Sequence, residues 1–394
     1  MPLASLSAAE LLLEIGGLLL VMGVLARVAD RFALPSIPVF LAVGLVVSST
    51  PLRPDVSREF VEIGATIGVA LLLFMLGVKY SADELTEALR SNSRAGLVDA
   101  LANATPGAVI AALLGWGALE ALVLAGACWV SSSGMVAKLV EDLRWTGNRE
   151  TPVVISVLVM EDLAMAVYLP VTAGLLAGGS APDSIVRVVV ALAVVGVVIT
   201  VALRWGERLS DLAFSESSEH MLLVILGAVL LVAGFAERAS VSGAVGAFLV
   251  GMGLSGPAAE RAEPLLTPLR DLFGAVYFLF FGLAIDTSAL RNVLVPALVM
   301  AVLTGPTKLW TGWWSARRAG LGSAGRLRAG TVLMARGEFS LVVAGLAVGA
   351  GLEAELPALV TAYVLILALV TPLAARVADR RSQKTPRTRR RAAS

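Results

Sequence analysis

Long apolar stretches separated by short polar loops follow one another along almost the whole chain. Most are roughly 17 to 25 residues long, the length that a helix needs to cross the hydrocarbon core of a bilayer. We place them near 9–29, 34–50, 59–78, 95–115, 118–139, 151–177, 184–205, 218–236, 240–256, 268–285, 290–314, 327–349 and 357–378. The pattern predicts an all-α polytopic membrane protein with about 13 transmembrane helices.

The composition agrees with this prediction. Of the 394 residues, 57% are hydrophobic and 15% are charged, and the mean hydropathy is +0.85. A soluble domain typically carries about 25% charged residues. The single cysteine, Cys128, excludes a disulfide within the chain, and the single histidine, His220, excludes a multi-histidine metal site. We expect neither an enzyme nor a cofactor, because no nucleophile–base pattern is visible.

Basic residues are unevenly distributed among the loops. If the N-terminus is outside, most Lys and Arg residues lie on the cytoplasmic side, as the positive-inside rule requires. The exceptions are Arg53, Arg58, Arg187, Arg238 and Arg291, together with two basic residues inside spans. We therefore expect a multi-pass protein of the cell (inner) membrane with a cytoplasmic C-terminus. Residues 381–394 would form a basic cytoplasmic tail beside anionic lipid.

Several ionisable residues lie inside the predicted spans. Four of them stand out, namely Glu161, Asp162, Lys308 and Glu338, with Arg336 beside the last. A charge at this depth costs several kcal/mol unless it is paired or hydrated, so each is a candidate functional residue.

The acidic pair Glu161–Asp162 lies in the middle of the sixth apolar stretch. Neighbouring helix residues point about 100° apart, so the two carboxyl groups face different directions. Burial disfavours the charged form of a carboxyl group, and its oxygens also suit Na⁺ or K⁺. A group that binds either a proton or a cation provides the competition that exchange needs. The alternative, a carboxylate that only holds helices together, is most open for Glu161.

Lys308 lies deep in the eleventh stretch, about two turns from Arg317 and Arg318. It could extend towards the interface, where Trp310, Trp313 and Trp314 resemble an aromatic belt. It could instead pair with Glu161 inside the protein.

Two stretches carry residues that weaken a helix. The fifth contains WVSSSGMVAK, and the twelfth contains MARGEFSLVV. Non-helical backbone at membrane depth is tolerated only inside protein or beside a cavity, and paired interruptions indicate a transporter site. Small-residue packing is the alternative. The candidate residues are Ser131, Ser132, Ser133, Gly134, Arg336, Gly337, Glu338 and Ser340.

Six segments in order resemble the second cation:proton antiporter superfamily, which includes Kef-type potassium efflux systems and bacterial sodium/proton antiporters. The segments are LLLFMLGVKYSADEL at 71–85, SSSGMVAKLVED at 131–142, Glu161–Asp162, FLFFGLAIDTSAL at 278–290, Lys308 and RGEFSLVV at 336–343. The resemblance covers nearly the whole chain.

The resemblance implies an inverted-repeat antiporter fold with two crossed discontinuous helices. Residues 1–380 would form the transmembrane cation/proton exchanger domain. Its scaffold spans would lie at about 9–78 and 218–285, and its core spans at about 95–177 and 290–378. The scaffold would form a homodimer.

The resemblance also implies a secondary active antiporter that exchanges K⁺ or Na⁺ for H⁺ by alternating access. Asp162 would carry cation and proton in turn, with Glu161 as the partner of Lys308. Glu161 departs from the Gln of Kef-type members, so ion choice and stoichiometry stay open, with a slight preference for K⁺. A nucleotide-sensing domain is absent from the sequence, which leaves room for a separate cytosolic regulatory subunit.

Three other functions remain as alternatives. A sodium-coupled symporter for organic anions can share crossed, broken helices but needs a more basic substrate cavity. A passive cation channel needs no titratable carrier. A sensor without transport is disfavoured by the number of ionisable residues at membrane depth. We expect no nucleic-acid partner.

Overall fold

The computed structural model describes 8–31, 36–48, 58–78, 82–177, 185–190, 214–238, 243–254, 256–285 and 287–384, with single positions between 193 and 211. Most of the predicted span at 184–205, and all but the first four residues of the predicted tail at 381–394, lie outside these residues.

Fourteen helices account for most of the described chain, and no strand occurs in these parts of it. They are α1 (Ala8–Arg31), α2 (Ser36–Ser48), α3 (Arg58–Val78), α4 (Ala82–Leu113), α5 (Ala118–Trp129), α6 (Ser133–Asp142), α7 (Thr151–Leu176), α8 (Ser218–Arg238), α9 (Gly243–Gly253), α10 (Gly256–Ala284), α11 (Thr287–Arg318), α12 (Ser323–Val332), α13 (Glu338–Gly349) and α14 (Glu355–Lys384).

Apolar side chains cover much of the helix surface. Among the described residues, seven helical stretches are long and apolar enough to cross a membrane, and four shorter helices are also apolar. Leu12, Leu113 and Leu231 are 73%, 81% and 63% exposed, as expected for side chains that face lipid. The predicted all-α membrane class is confirmed, whereas the number of 13 spans stays a prediction.

One group of helices packs through glycines. In this group α3 contacts α9 and α10, and α2 contacts α1 and α10. A Cβ atom on Gly77 would lie 2.2 Å from the carbonyl oxygen of Phe248, and one on Gly251 would lie 2.2 Å from that of Phe74. Glycine is therefore required where α3 and α9 touch, because a side chain would push the two backbones apart.

A second group repeats one pattern of elements. Long helix, interrupted helix and long helix occur as α4, α5–α6 and α7, and again as α11, α12–α13 and α14. These helices pack mainly on one another, and the main links to the first group run from α2 to α14 and from α7 to α9. A shared hydrophobic cluster, including Leu41, Leu279 and Leu341, joins the two groups.

The two interruptions lie against each other. Between α5 and α6, Val130 is extended, and the Ser132 side chain caps α6 by accepting a hydrogen bond from the Met135 amide at 3.2 Å. The Ser132 amide donates to the Ala335 carbonyl at 3.0 Å, which ties the first interruption to the second. A Cβ on Gly337 would lie 2.5 Å from Ser132 Oγ, so this crossing requires glycine.

We predict that Gly251→Val destabilises the protein, because its added carbons must displace the backbone of α3. Overpacking of this kind costs roughly 1–3 kcal/mol or more. Gly227→Val is the matched control, since a Cβ there meets nothing within 4 Å. Thermal unfolding in detergent should show a lower midpoint for Gly251→Val alone. Equal midpoints for both variants would contradict the packing described.

Candidate functional site

The predicted intramembrane charges converge near the two interruptions. Glu161 and Asp162 lie midway along α7, and Lys308 lies on α11. Arg336 lies in the second interruption. All four are buried, with Asp162, Lys308 and Arg336 at 0% exposure and Glu161 at 2%.

Glu161 joins three elements. Its Oε1 atom lies 2.7 Å from Lys308 Nζ on α11. Its Oε2 atom accepts a hydrogen bond from the Ser131 backbone amide, and the Ser131 hydroxyl lies 3.3 Å from Oε1. The carboxylate thus bonds to an amide freed by the break between α5 and α6, which would otherwise be an unsatisfied buried donor.

Lys308 points inward rather than towards the membrane surface. Besides Glu161, its ammonium group contacts Asp99 Oδ2 at 2.7 Å and Oδ1 at 2.9 Å. It also donates to the carbonyl oxygen of Trp129, the last residue of α5, at 3.0 Å. Lys308 therefore does not extend to the membrane interface but pairs inside the protein, and it pairs with two carboxylates instead of one.

Asp99 is a buried residue that the sequence reasoning missed. It lies on α4 and is 2% exposed. Besides Lys308, it accepts hydrogen bonds from Trp129 Nε1 at 3.2 Å, Asn103 Nδ2 at 3.0 Å and Thr311 Oγ1 at 2.8 Å. Its position inside the predicted span 95–115 was a usable signal, because the rule that singled out Glu161 applies equally to Asp99.

Asp162 is the other carboxylate of the acidic pair. It is fully buried, and it projects from a different side of α7 than Glu161, because adjacent helix residues are about 100° apart. The ammonium group of Lys308 is occupied by Asp99, Glu161 and Trp129. Both carboxyl groups of the pair are thus buried, and that of Glu161 belongs to the ion-pair cluster.

Arg336 bonds to the carbonyl ends of two short helices. Its guanidinium donates to Cys128 O near the end of α5 from Nη2 at 2.8 Å and from Nε at 3.1 Å. Its remaining partners are Leu333 O, Met334 O, Ala335 O and Tyr363 Oη. A cation at these ends offsets the partial negative charge of unpaired carbonyls.

Glu338 lies at the opposite kind of helix end. Its Oε2 atom accepts from Ser132 Oγ at 2.7 Å, and its Oε1 atom accepts from Ser133 Oγ and the Gly134 amide at 3.4 Å each. These groups begin α6, while Glu338 itself begins α13. Ser340 on α13 donates to the Ala127 carbonyl of α5 at 2.8 Å. Negative charge therefore meets the amino ends of the short helices, and positive charge meets their carbonyl ends.

A cavity of about 380 Å³ lies beside the ion-pair cluster, between α4, α7 and α11. Its lining includes Gly96, which is one turn before Asp99, and Met160, which precedes Glu161. Ser315 and Arg318 line its α11 side. None of the predicted site residues lines this cavity.

Known proteins are similar to this chain in sequence and in fold. Residues 17–376 match the family described as sodium/hydrogen exchanger, transmembrane. The K(+)/H(+) antiporter subunit KhtU of Bacillus subtilis is 33% identical and covers 94% of each chain. The Ammonium/H(+) antiporter subunit AmhT of Alkalihalophilus pseudofirmus is 28% identical over 86% of this chain and 87% of its own. The sodium proton antiporter MjNhaP1 of Methanocaldococcus jannaschii has a similar fold, with a TM-score of 0.67 and 17% identity over 95% of this chain and 99% of its own.

We predict that Arg336→Met destabilises the crossing strongly. It leaves several buried carbonyl oxygens without a donor, and each unsatisfied group costs roughly 1–3 kcal/mol. Tyr363→Phe removes one Arg336 partner but no charge, so it should cost only about 1 kcal/mol. Thermal unfolding of both variants checks the difference. Similar midpoints would show that the guanidinium does not hold the helix ends.

Proposed function

The chain belongs to the family of transmembrane sodium/hydrogen exchangers, and from this premise we propose that it is a secondary active antiporter exchanging K⁺ or Na⁺ for H⁺. As a member it is a cation/proton antiporter of the NhaP-type fold, a transporter and not a catalytic enzyme. The observation that carries the finer proposal is the buried acidic pair on α7 beside two interrupted helices.

Asp162 is the shared carrier in this proposal. A carboxylate in a dry interior is stable when it binds either a proton or a cation, and it cannot hold both at full strength. Glu161 is already engaged by Lys308 and by Ser131. Following the family resemblance, we assign the alternating loads to Asp162 and a supporting role to Glu161.

The proposed alternating access would use the division into two helix groups. The core, at about 95–177 and 290–378, would move against the scaffold, at about 9–78 and 218–285. Among the described helices, the main contacts between the groups are those of α2 with α14 and of α7 with α9, and an interface confined to a few helices supports such a motion. Opening on one side and then on the other would expose Asp162 to each compartment in turn.

Assembly and orientation are part of the same proposal. The protein would lie in the cell membrane with its N-terminus outside, and it would dimerise through its scaffold. KhtU is named a subunit, which supports a separate cytosolic regulatory subunit for this chain as well. Removing the basic tail at 381–394 should weaken capture of that subunit. Unchanged capture would exclude the tail as its contact.

We predict a cation-driven pH change in proteoliposomes that is lost in Asp162→Asn, because an amide cannot exchange a proton. The ions to compare are K⁺, Na⁺, Li⁺ and NH₄⁺, with K⁺ expected to be most effective. Asp271→Asn is the matched control, since Asp271 is an exposed carboxylate whose partner is the neighbouring Arg270.

The control should transport as the wild type does. Cation flux that persists in Asp162→Asn without proton movement would indicate a passive channel. Flux that requires an organic anion would indicate the symporter. Either result would contradict the antiport proposal.

A further inference from the structure

Lys308 has more negative partners than it can neutralise. Its single positive charge lies within 2.7 Å of a carboxylate oxygen of Asp99 and within 2.7 Å of one of Glu161. When all three groups are ionised, the cluster carries one net negative charge inside the protein. A second buried carboxylate adds a desolvation cost, so a lysine that served only to hold helices together would be served by one.

The two carboxylates are held unequally. Asp99 has donors from three helices, namely Lys308 and Thr311 on α11, Trp129 on α5 and Asn103 on α4. Glu161 has Lys308 and the amide and hydroxyl of one residue, Ser131, in the interruption. Asn103 is held in turn by Thr307, which donates to its Oδ1 atom at 2.9 Å. Asp99 therefore lies in a fully bonded network, whereas Glu161 is attached at the point where the core is interrupted.

We propose that Asp99 is the fixed counter-ion of Lys308, a positioning residue that leaves Glu161 available as a second carboxylate for the cation at Asp162. This inference rests on the proposed function. If Glu161 were the sole partner of Lys308, its charge would be cancelled and it would attract a cation weakly. With Asp99 holding the lysine, Glu161 and Asp162 together keep net negative charge at the centre of α7.

The other charged residues near the cluster, Arg336 and Glu338, have their partners at the two short helices. Arg336 directs its guanidinium to carbonyl oxygens of the two short helices and to Tyr363. Glu338 accepts hydrogen bonds from the start of α6. In the described part of the core, the partner that Lys308 neutralises therefore determines whether Glu161 keeps its negative charge.

The first test is a comparison of stabilities. Lys308→Met leaves Asp99 and Glu161 without their cation and should lower the unfolding midpoint. Adding Asp99→Asn should recover most of that loss, whereas adding Glu161→Gln should recover less. The reverse order, with Glu161→Gln giving the greater recovery, would overturn the assignment of Asp99.

The second test uses equilibrium binding of K⁺ and Na⁺ to purified protein, which a purely structural role would not change in this pattern. Glu161→Gln should raise the Kd about tenfold while keeping near wild-type stability. Asp99→Asn should raise the Kd similarly, because Lys308 then takes Glu161 as its only partner. The two effects should not add in the double variant, since both act through Glu161.

Additive effects, or an unchanged Kd in Glu161→Gln, would overturn the proposal. If Asp99→Asn does not fold while Glu161→Gln does, the role of Asp99 as the fixed counter-ion is supported. The Kd of Glu161→Gln then still tests whether Glu161 contributes to cation binding. Asp271→Asn should bind as the wild type does. If the wild type binds cations but drives no proton movement, antiport fails, while these comparisons still test Asp99.

Discussion

Backbone groups that leave a helix inside a membrane must find partners within the protein, and this requirement organises the core. The two interruptions meet this requirement because their backbone groups bond to each other and to nearby side chains. The Ser132 amide bonds to the Ala335 carbonyl, Arg336 collects carbonyl oxygens from both segments, and Glu338 accepts from the start of α6. Buried charges are stable here because they meet helix ends of opposite sign. Without the crossing, the buried guanidinium of Arg336 would lack its carbonyl partners.

The ion-pair cluster grows from the same break. The Ser131 amide, freed from helical bonding, holds Glu161, and the Trp129 carbonyl at the end of α5 accepts from Lys308. Lys308 also forms an ion pair with Asp99, which connects α4 to the centre of the core. The ion-pair cluster is therefore a continuation of the backbone crossing. In the proposed motion, the crossing and the ion-pair cluster would move as one unit.

The sequence predicted the larger features because strong physical signals mark them. Spans follow from apolar length, and the interruptions follow from clusters of serine and glycine beside intramembrane charges. The fold class is confirmed, and the breaks lie within a few residues of the predicted positions, at Val130–Ser132 and Leu333–Gly337. Helix ends were less predictable. The helix α10 begins at Gly256, well before the span predicted from residue 268. Its first turns carry charged and proline residues, so the apolar pattern did not indicate them.

The sequence did not show which distant residues would contact Lys308 and Gly337. The resemblance implied that Lys308 pairs with Glu161, yet the lysine also contacts Asp99, 209 residues away, through a helix packing that no local pattern reveals. The tight fit at Gly337 is similar, since a side chain there would have to displace Ser132. Long-range contacts decide both, whereas the residue types alone show only that some partner must exist.

In the proposed exchange, one carboxylate, Asp162, holds a proton and a cation in turn. Calorimetric titration of K⁺ or Na⁺ into purified protein, repeated in buffers with different ionisation enthalpies, counts the protons released for each cation bound. We predict proton release with the wild type and neither binding nor release with Asp162→Asn. Cation binding without proton release, or release that persists in Asp162→Asn, would contradict the account.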